Sequence, residues 1–185
     1  YGLVGSEMCI RDRLREAAGR VLAEPVLAGR DQPPFDASVM DGYAITAADH
    51  RTGAKLRVIG EAGAGHAHPG RLSPGEALRI FTGAPVPEGA AAVVPQEDTS
   101  RDDTLVTLDH VDPESSYIRP RGGDFAVGAT LPAPRRLSPA DLALIAAMNL
   151  PDVRVRRRPV VAIVATGDEL VMPGETPRPD QIVSA

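Results

Sequence analysis

Ser73-Pro74-Gly75-Glu76-Ala77-Leu78-Arg79-Ile80-Phe81-Thr82-Gly83-Ala84-Pro85-Val86-Pro87-Glu88-Gly89-Ala90-Ala91-Ala92-Val93-Val94 is the stretch on which the fold reading turns. Two short apolar runs, Ala77 to Phe81 and Ala91 to Val94, are set off by the turn clusters Ser73-Pro74-Gly75 and Pro87-Glu88-Gly89. Short apolar runs punctuated by glycine and proline read as strands. The pattern continues outward through Leu56 to Ile59, Leu105 to Leu108 and Tyr117-Ile118. Several short strands at this spacing predict a compact barrel or sandwich over residues 45–131.

Beyond this β-rich unit the patterns change. Leu14, Ala17, Ala18, Val21 and Leu22 have a helical spacing that Pro25 ends, and Glu24 to Tyr43 should be extended and loop-like. Ser138-Pro139-Ala140-Asp141 is a helix start, with serine as N-cap, proline at the first position and an acid in the first turn. That helix should run to about Met148. Asp152 to Arg157 alternates valine with arginine, the pattern of an edge strand. Pro159 to Ala165 is a continuous apolar run that fits a fully buried strand of an α/β sheet. It leads into Thr166-Gly167-Asp168-Glu169, where such sheets place their ligands. The fold class read from these segments is α+β and multidomain. A small mixed unit (residues 14–44 and 132–158) is interrupted by the β-rich barrel-like insertion, and an α/β domain starts at 159–185.

Composition sets the limits. The chain has 185 residues, 43% of them hydrophobic and only 3% aromatic, so the core is aliphatic. The net charge of −5 argues against a general nucleic-acid binder, and nothing approaches the roughly 18 apolar residues of a membrane span. With one cysteine, Cys9, no intrachain disulfide or four-cysteine zinc site can form, and a reducing cytoplasmic location is the default. Tyr1 to about Arg13 has no clear helical period and is expected to be a foreign or vestigial leader. The stop at Ala185, soon after a buried-looking strand, marks the chain as an expected fragment.

Several short motifs could carry chemistry. In Phe35-Asp36-Ala37-Ser38-Val39-Met40-Asp41-Gly42-Tyr43-Ala44, the Asp41 carboxylate stands before a glycine that would turn with positive φ. It could accept a proton, bind a cation or receive a substrate hydroxyl, or simply belong to a tight turn. Thr82-Gly83 ends a strand with a hydroxyl and amides that could hold an oxyanion or phosphate, or form an ordinary turn. Thr166-Gly167-Asp168-Glu169 adds two carboxylates suited to Mg²⁺ or proton transfer, or to an acidic helix start. Arg121-Gly122-Gly123-Asp124 is a flexible loop with one charge at each end. Gly60 to His68 has the glycines of a phosphate loop without its lysine, and its His66-x-His68 pair lacks a third ligand. Arg154 to Arg158 reads as a solvated basic edge. No Ser-His-Asp or Cys-His set is evident.

Taken in order, these segments resemble the molybdopterin molybdenumtransferase family, which includes MoeA and the gephyrin E-domain. The matching stretches are Gly19 to Glu24, Phe35 to Ala44, Arg79 to Glu97, Arg121 to Asp124, the helix from Leu137 and Val161 to Leu170. The resemblance implies the last step of molybdenum cofactor synthesis. Molybdate is inserted into adenylylated molybdopterin and AMP is released, with Mg²⁺ or another divalent cation assisting. It implies catalytic roles for Asp41, Thr82 and Glu169 and substrate contacts at Gly42, Gly83, Asp124, Thr166 and Gly167, with Asp168 and Glu169 as metal ligands. Thr82 and the Gly83 amide would donate to an oxyanion. The family is homodimeric, with each site between the β-rich part of one subunit and the α/β domain of the other, and the molybdopterin adenylyltransferase is a candidate partner. Where Gly123 stands the family usually has glutamate, so one acid of a Glu-Asp pair is missing. The family also continues for roughly as many residues again, so this piece alone is expected to be inactive. The competing readings are a non-catalytic gephyrin-like scaffold and a β-rich interaction module; Asp41, Thr82 and Glu169 favour the enzyme.

Overall fold

The computed structural model describes residues 8–184. In chain order the first strands are β1 (Cys9–Arg13), β2 (Val21–Leu22), β3 (Val26–Leu27), β4 (Ala37–Ser38) and β5 (Gly42–Ile45). Next come β6 (Lys55–Ala62), β7 (Glu76–Ile80), β8 (Ala92–Pro95), β9 (Thr99–Asp102) and β10 (Leu105–Leu108). The remainder are β11 (Ile118–Arg119), β12 (Thr130–Leu131), β13 (Arg135–Arg136), helix α1 (Pro139–Ala147), β14 (Asp152–Arg156), β15 (Leu170–Val171) and β16 (Ile182–Val183). The described chain is therefore mostly strand, with one α-helix.

The largest sheet has the order β8-β5-β7-β6-β10-β9 and is antiparallel except for β6 beside β7. Alternation along its strands buries both faces. Tyr43, Ile45, Leu56, Ala77, Val106 and Leu108 pack on one side; Ala44, Leu78, Ile80 and Val93 pack on the other. A register shift between Val58 and Glu61 helps the sheet curl. It curls into a half-barrel and stays open, with β8 and β9 at its edges. Beyond β6, Gly63 and His66 exchange backbone hydrogen bonds of 3.1 and 2.8 Å, so the glycine-rich stretch is a tight turn. His68 Nδ1 accepts from the Gly70 amide at 3.1 Å, a local structural use of one of the two histidines.

A second sheet has the order β1-β14-β2-β13 and packs under α1. Leu22, Val153 and Val155 from the sheet meet Ile145 and Met148 from the helix segment, with Leu131 and Leu137 completing the core. The helix starts as its sequence predicts. The Ser138 hydroxyl accepts from the Asp141 amide at 3.2 Å, and Asp141 Oδ2 accepts from the Ser138 amide at 2.8 Å. Arg135 adds an ion pair to Asp141 at 2.9 Å. The Ser138 hydroxyl, which also donates to Asp141 Oδ2 at 2.7 Å, and the Ser138 amide lower the Asp141 pKa to about 2, with Arg135 contributing next.

Three sequence expectations are corrected. The helix over Leu14 to Leu22 is one 3-10 turn, Leu14–Glu16. Gly19 then adopts φ +69°, and Val21–Leu22 becomes strand because β13 and β14 bury Leu22. Within the stretch expected to be a leader, Cys9–Arg13 pairs with β14 from Cys9↔Arg156 to Arg13↔Asp152. Residues 1–7 lie outside the described residues. Because β1 takes the edge, Asp152–Arg156 is an interior strand; Asp12 pairs with Arg20, whose guanidinium also donates to the Arg156 carbonyl at 2.8 Å. Finally, Pro159 to Ala165 forms no buried strand. Val160, Val161, Ile163 and Val164 are 98%, 75%, 87% and 80% exposed, since no described strand lies beside them to pair and cover them.

Candidate functional site

Backbone stitching brings the Phe35–Ala44 decapeptide against the Thr82-Gly83 corner. β4 places Ser38 so that its amide donates to the Ala84 carbonyl at 3.0 Å and its carbonyl accepts from the Gly83 amide at 2.8 Å. The buried Ser38 hydroxyl donates to the Met40 carbonyl at 2.6 Å, closing the chain towards Asp41. The β5–β7 register, Gly42 opposite Ile80, then sets Asp41 across from the end of β7. Both the amide and the hydroxyl of Thr82 donate to Asp41 Oδ1 at 2.8 Å. These two bonds, the amide first, hold the Asp41 carboxyl below its ordinary range, with Arg79 adding an attractive charge. The result is a fixed carboxylate that stays ionised at neutral pH.

Two expected roles change in this geometry. Gly42 does not have positive φ; a Cβ there would lie 2.0 Å from the Val94 carbonyl oxygen, so the close approach of β8 requires glycine at this position. Gly83 does turn with φ +81°, but its amide is committed to Ser38, and the Thr82 donors are committed to Asp41. The oxyanion donors expected at this corner are therefore engaged within the protein.

Thr82 and Gly83 line a cleft of about 420 Å³ with Phe35, Val39, Arg119 and Asp124. Arg119 forms an ion pair with Asp124. The Asp124 amide donates to the Gln32 carbonyl at 2.8 Å, which fixes the loop beside the cleft. Asp31 clasps that loop by accepting from the Val127 amide at 2.8 Å and from Arg121 Nε at 2.6 Å, and the same two bonds lower its pKa. At Gly123 a Cβ would sit 3.0 Å from the Pro120 carbonyl oxygen, so a glutamate there would need that carbonyl to shift. Sequence reading missed Arg119. Its only signal was a basic residue directly after the Tyr117-Ile118 run; the β11–β4 pairing, Arg119 opposite Ala37, carries it to the cleft.

The second half of the expected site stands apart. Thr166, Gly167, Asp168 and Glu169 are exposed and share no hydrogen bond or ion pair with Asp41, Thr82 or Asp124 among the described residues. The Leu170 amide donates to the Gly167 carbonyl at 3.1 Å and the Ile182 amide to the Glu169 carbonyl at 2.7 Å, forming a local turn before β15 pairs with β16. Among the described residues, no group of three histidine, cysteine or carboxylate side chains could hold a metal ion. Arg154 of the basic run pairs with Glu24 at 3.3 Å. No helix among the described residues is long and apolar enough to cross a membrane.

Comparison with known proteins supplies the family. Residues 5–149 match the model of the MoeA N-terminal region (domain I and II). The chain is 41% identical over 175 residues to a molybdopterin molybdenumtransferase of Nostoc sp., covering 91% of this chain and 40% of that protein. It is 36% identical over 171 residues to the molybdopterin molybdenumtransferase of Haemophilus influenzae, covering 91% of this chain and 42% of the relative. The molybdopterin biosynthesis MoeA protein from Pyrococcus horikosii superimposes with a TM-score of 0.86 at 33% identity, covering 96% of this chain and 47% of that one. The chain thus spans less than half the length of the proteins it matches.

Proposed function

The chain belongs to the MoeA N-terminal family, and from that premise we propose that it contributes the Asp41–Thr82 corner to a molybdopterin molybdenumtransferase. That enzyme inserts molybdate into adenylylated molybdopterin and releases AMP. The observation that carries the reading is the Asp41 carboxylate, held by two Thr82 donors beside a cleft containing Arg119 and Asp124. A scaffold or bare interaction module has no need of an ionised carboxylate held this way.

The chemistry of each group follows from its charge. Both substrates are anions, so Arg119 is the cleft's attractive charge, released from Asp124 when an anion competes for it. Asp41, with its lowered pKa, is poorly matched to general-base work near neutral pH. It acts instead as a fixed acceptor that orients a substrate hydroxyl or amine, or neutralises a bound cation. Asp168 and Glu169 provide the one or two carboxylates that Mg²⁺ takes from protein when substrate phosphates supply its other oxygens. They would hold that ion, which would supply charge neutralisation at the phosphates. Thr166, Gly167 and Glu169 would contact substrate once the segment carrying them meets the rest of a site. We further propose that the complete protein is a cytoplasmic homodimer that receives its substrate from the molybdopterin adenylyltransferase.

The test is molybdenum insertion and AMP release by the complete protein carrying Asp41→Asn or Thr82→Val. Asp41→Asn should lower the rate by about a hundredfold, and Thr82→Val by less, because the amide bond to Asp41 survives. Wild-type rates in both variants would refute the assignment.

A further inference from the structure

Arg79 does more at the site than add an attractive charge, because its guanidinium is bonded to the backbone and side chain that flank Asp41. It lies opposite Tyr43 on β5 and opposite Glu61 on β6, at the end of the sheet face where Asp41 emerges. Its Nη1 donates to the Gly42 carbonyl at 3.2 Å, fixing the Gly42–Tyr43 peptide one residue beyond Asp41. Its Nη2 donates to Gln96 Oε1 at 2.5 Å. The Gln96 amide in turn donates to the Asp41 carbonyl at 2.9 Å. The guanidinium carbon stands 5.2 Å from the Tyr43 ring centroid and 4.8 Å from that of Phe81. Two aromatic rings hold a cation well without neutralising it.

None of the carboxylates of the described residues forms an ion pair with Arg79. This half-buried arginine is held by two rings and bonded to a backbone carbonyl and a neutral amide, with no ion pair among the described residues. Simple strand packing does not call for such an arrangement, since a leucine or methionine would fill the space between the rings. A fixed anion beside it does.

We propose that Arg79 is a positioning residue for Asp41, tethering the backbone that follows that residue while its positive charge attracts the carboxylate. The fork ties the Gly42–Tyr43 peptide directly and Gln96 through its side chain, and the Gln96 backbone amide holds the Asp41 carbonyl, so the chain leaving Asp41 is tethered at two points. The direct attraction of Arg79 for Asp41 acts alongside the Thr82 bonds. The inference rests on the reading of Asp41 as a site residue, and its test separates the two.

Arg79→Gln and Arg79→Lys are compared by following the Asp41 carboxyl carbon in a ¹³C NMR titration and by molybdenum insertion in the complete protein. With Arg79→Gln the Asp41 titration should move to higher pH, and kcat should fall about tenfold with KM little changed. Arg79→Lys should restore the titration but not kcat, because ammonium keeps the charge and loses the planar fork. An Asp41 titration unmoved by Arg79→Gln overturns the proposal, as does full recovery of kcat with lysine. Should Arg79→Gln fail to fold, Gln96→Ala decides, since Gln96 is exposed. A lowered kcat at unchanged Tm supports the tether, and an unchanged kcat overturns it. Should the wild-type protein insert no molybdenum, the functional reading fails, while the Asp41 titration still decides the role of Arg79.

Discussion

Gly42→Ala is the sharpest perturbation of this fold, because the reason for glycine there can be measured. A Cβ on residue 42 would meet the Val94 carbonyl oxygen at 2.0 Å and its carbon at 2.8 Å. Both atoms are backbone, so no side chain can swing aside. An ordinary contact requires β5 and β8 to separate by more than an ångström. That movement strains the four-residue register from Gly42↔Pro95 to Ile45↔Ala92. Overpacking costs about 1–3 kcal/mol, and a lost strand hydrogen bond adds about 1 kcal/mol. A total of about 2–4 kcal/mol lowers Tm by about 5–15 °C for a chain of this size. The assay is thermal and urea unfolding of Gly42→Ala beside Gly29→Ala. At Gly29 a Cβ would have nothing within 4 Å and the backbone has no positive φ, so alanine there should be neutral or slightly stabilising. Wild-type stability in Gly42→Ala together with lost molybdenum insertion would refute the reasoning. It would mean that the glycine admits a ligand rather than a strand.

Other outcomes follow from the same geometry. Ser138→Ala removes the helix cap and should cost about 1 kcal/mol, read as a fall in Tm. Asp141 has its pKa depressed to about 2, so its stabilising contribution is complete above its ordinary value and is lost as pH falls through the folded value; Asp141→Asn should flatten that part of the acid unfolding curve. Thr82→Val removes one of the two Thr82 bonds to Asp41, and the Asp41 titration should move to higher pH in an NMR titration. Ile163→Ser, at a position 87% exposed, should leave stability within about 0.5 kcal/mol of wild type; a larger loss in unfolding experiments would show that the 159–165 run is covered.

The legible parts of the chain were those governed by local rules. Short apolar runs between glycine-proline turns gave true strands at β7, β8 and β10, and Ser138-Pro139 opened α1 as expected. Errors arose where a partner distant in sequence decides. Leu14 to Leu22 had a helical spacing, but Gly19 breaks it and the β13 and β14 strands, more than a hundred residues later, claim Val21–Leu22. Asp152 to Arg157 has an edge pattern because its arginines face outward, yet Cys9–Arg13 covers that edge. The site divides in the same way. Asp41, Thr82 and Asp124 could be singled out as side chains of the right chemistry, whereas Arg119 and Arg79 could not, because nothing local marks an arginine whose role is set by what lies across the sheet.

Residue chemistry alone determined that this chain is rich in short strands, that a helix opens after a Ser138 cap, and that Asp41-Gly42 and Thr82-Gly83 are its notable corners. Tertiary structure alone decided that these corners touch through two 2.8 Å bonds. It also decided that Gly42 is demanded by the neighbouring strand and that the Thr82 and Gly83 donors are engaged by other parts of the chain. The physical reason is that turn and cap preferences are energies of neighbours in sequence. A hydrogen-bond donor's partner, and the space left for a Cβ, depend on backbone that arrives from elsewhere in the chain.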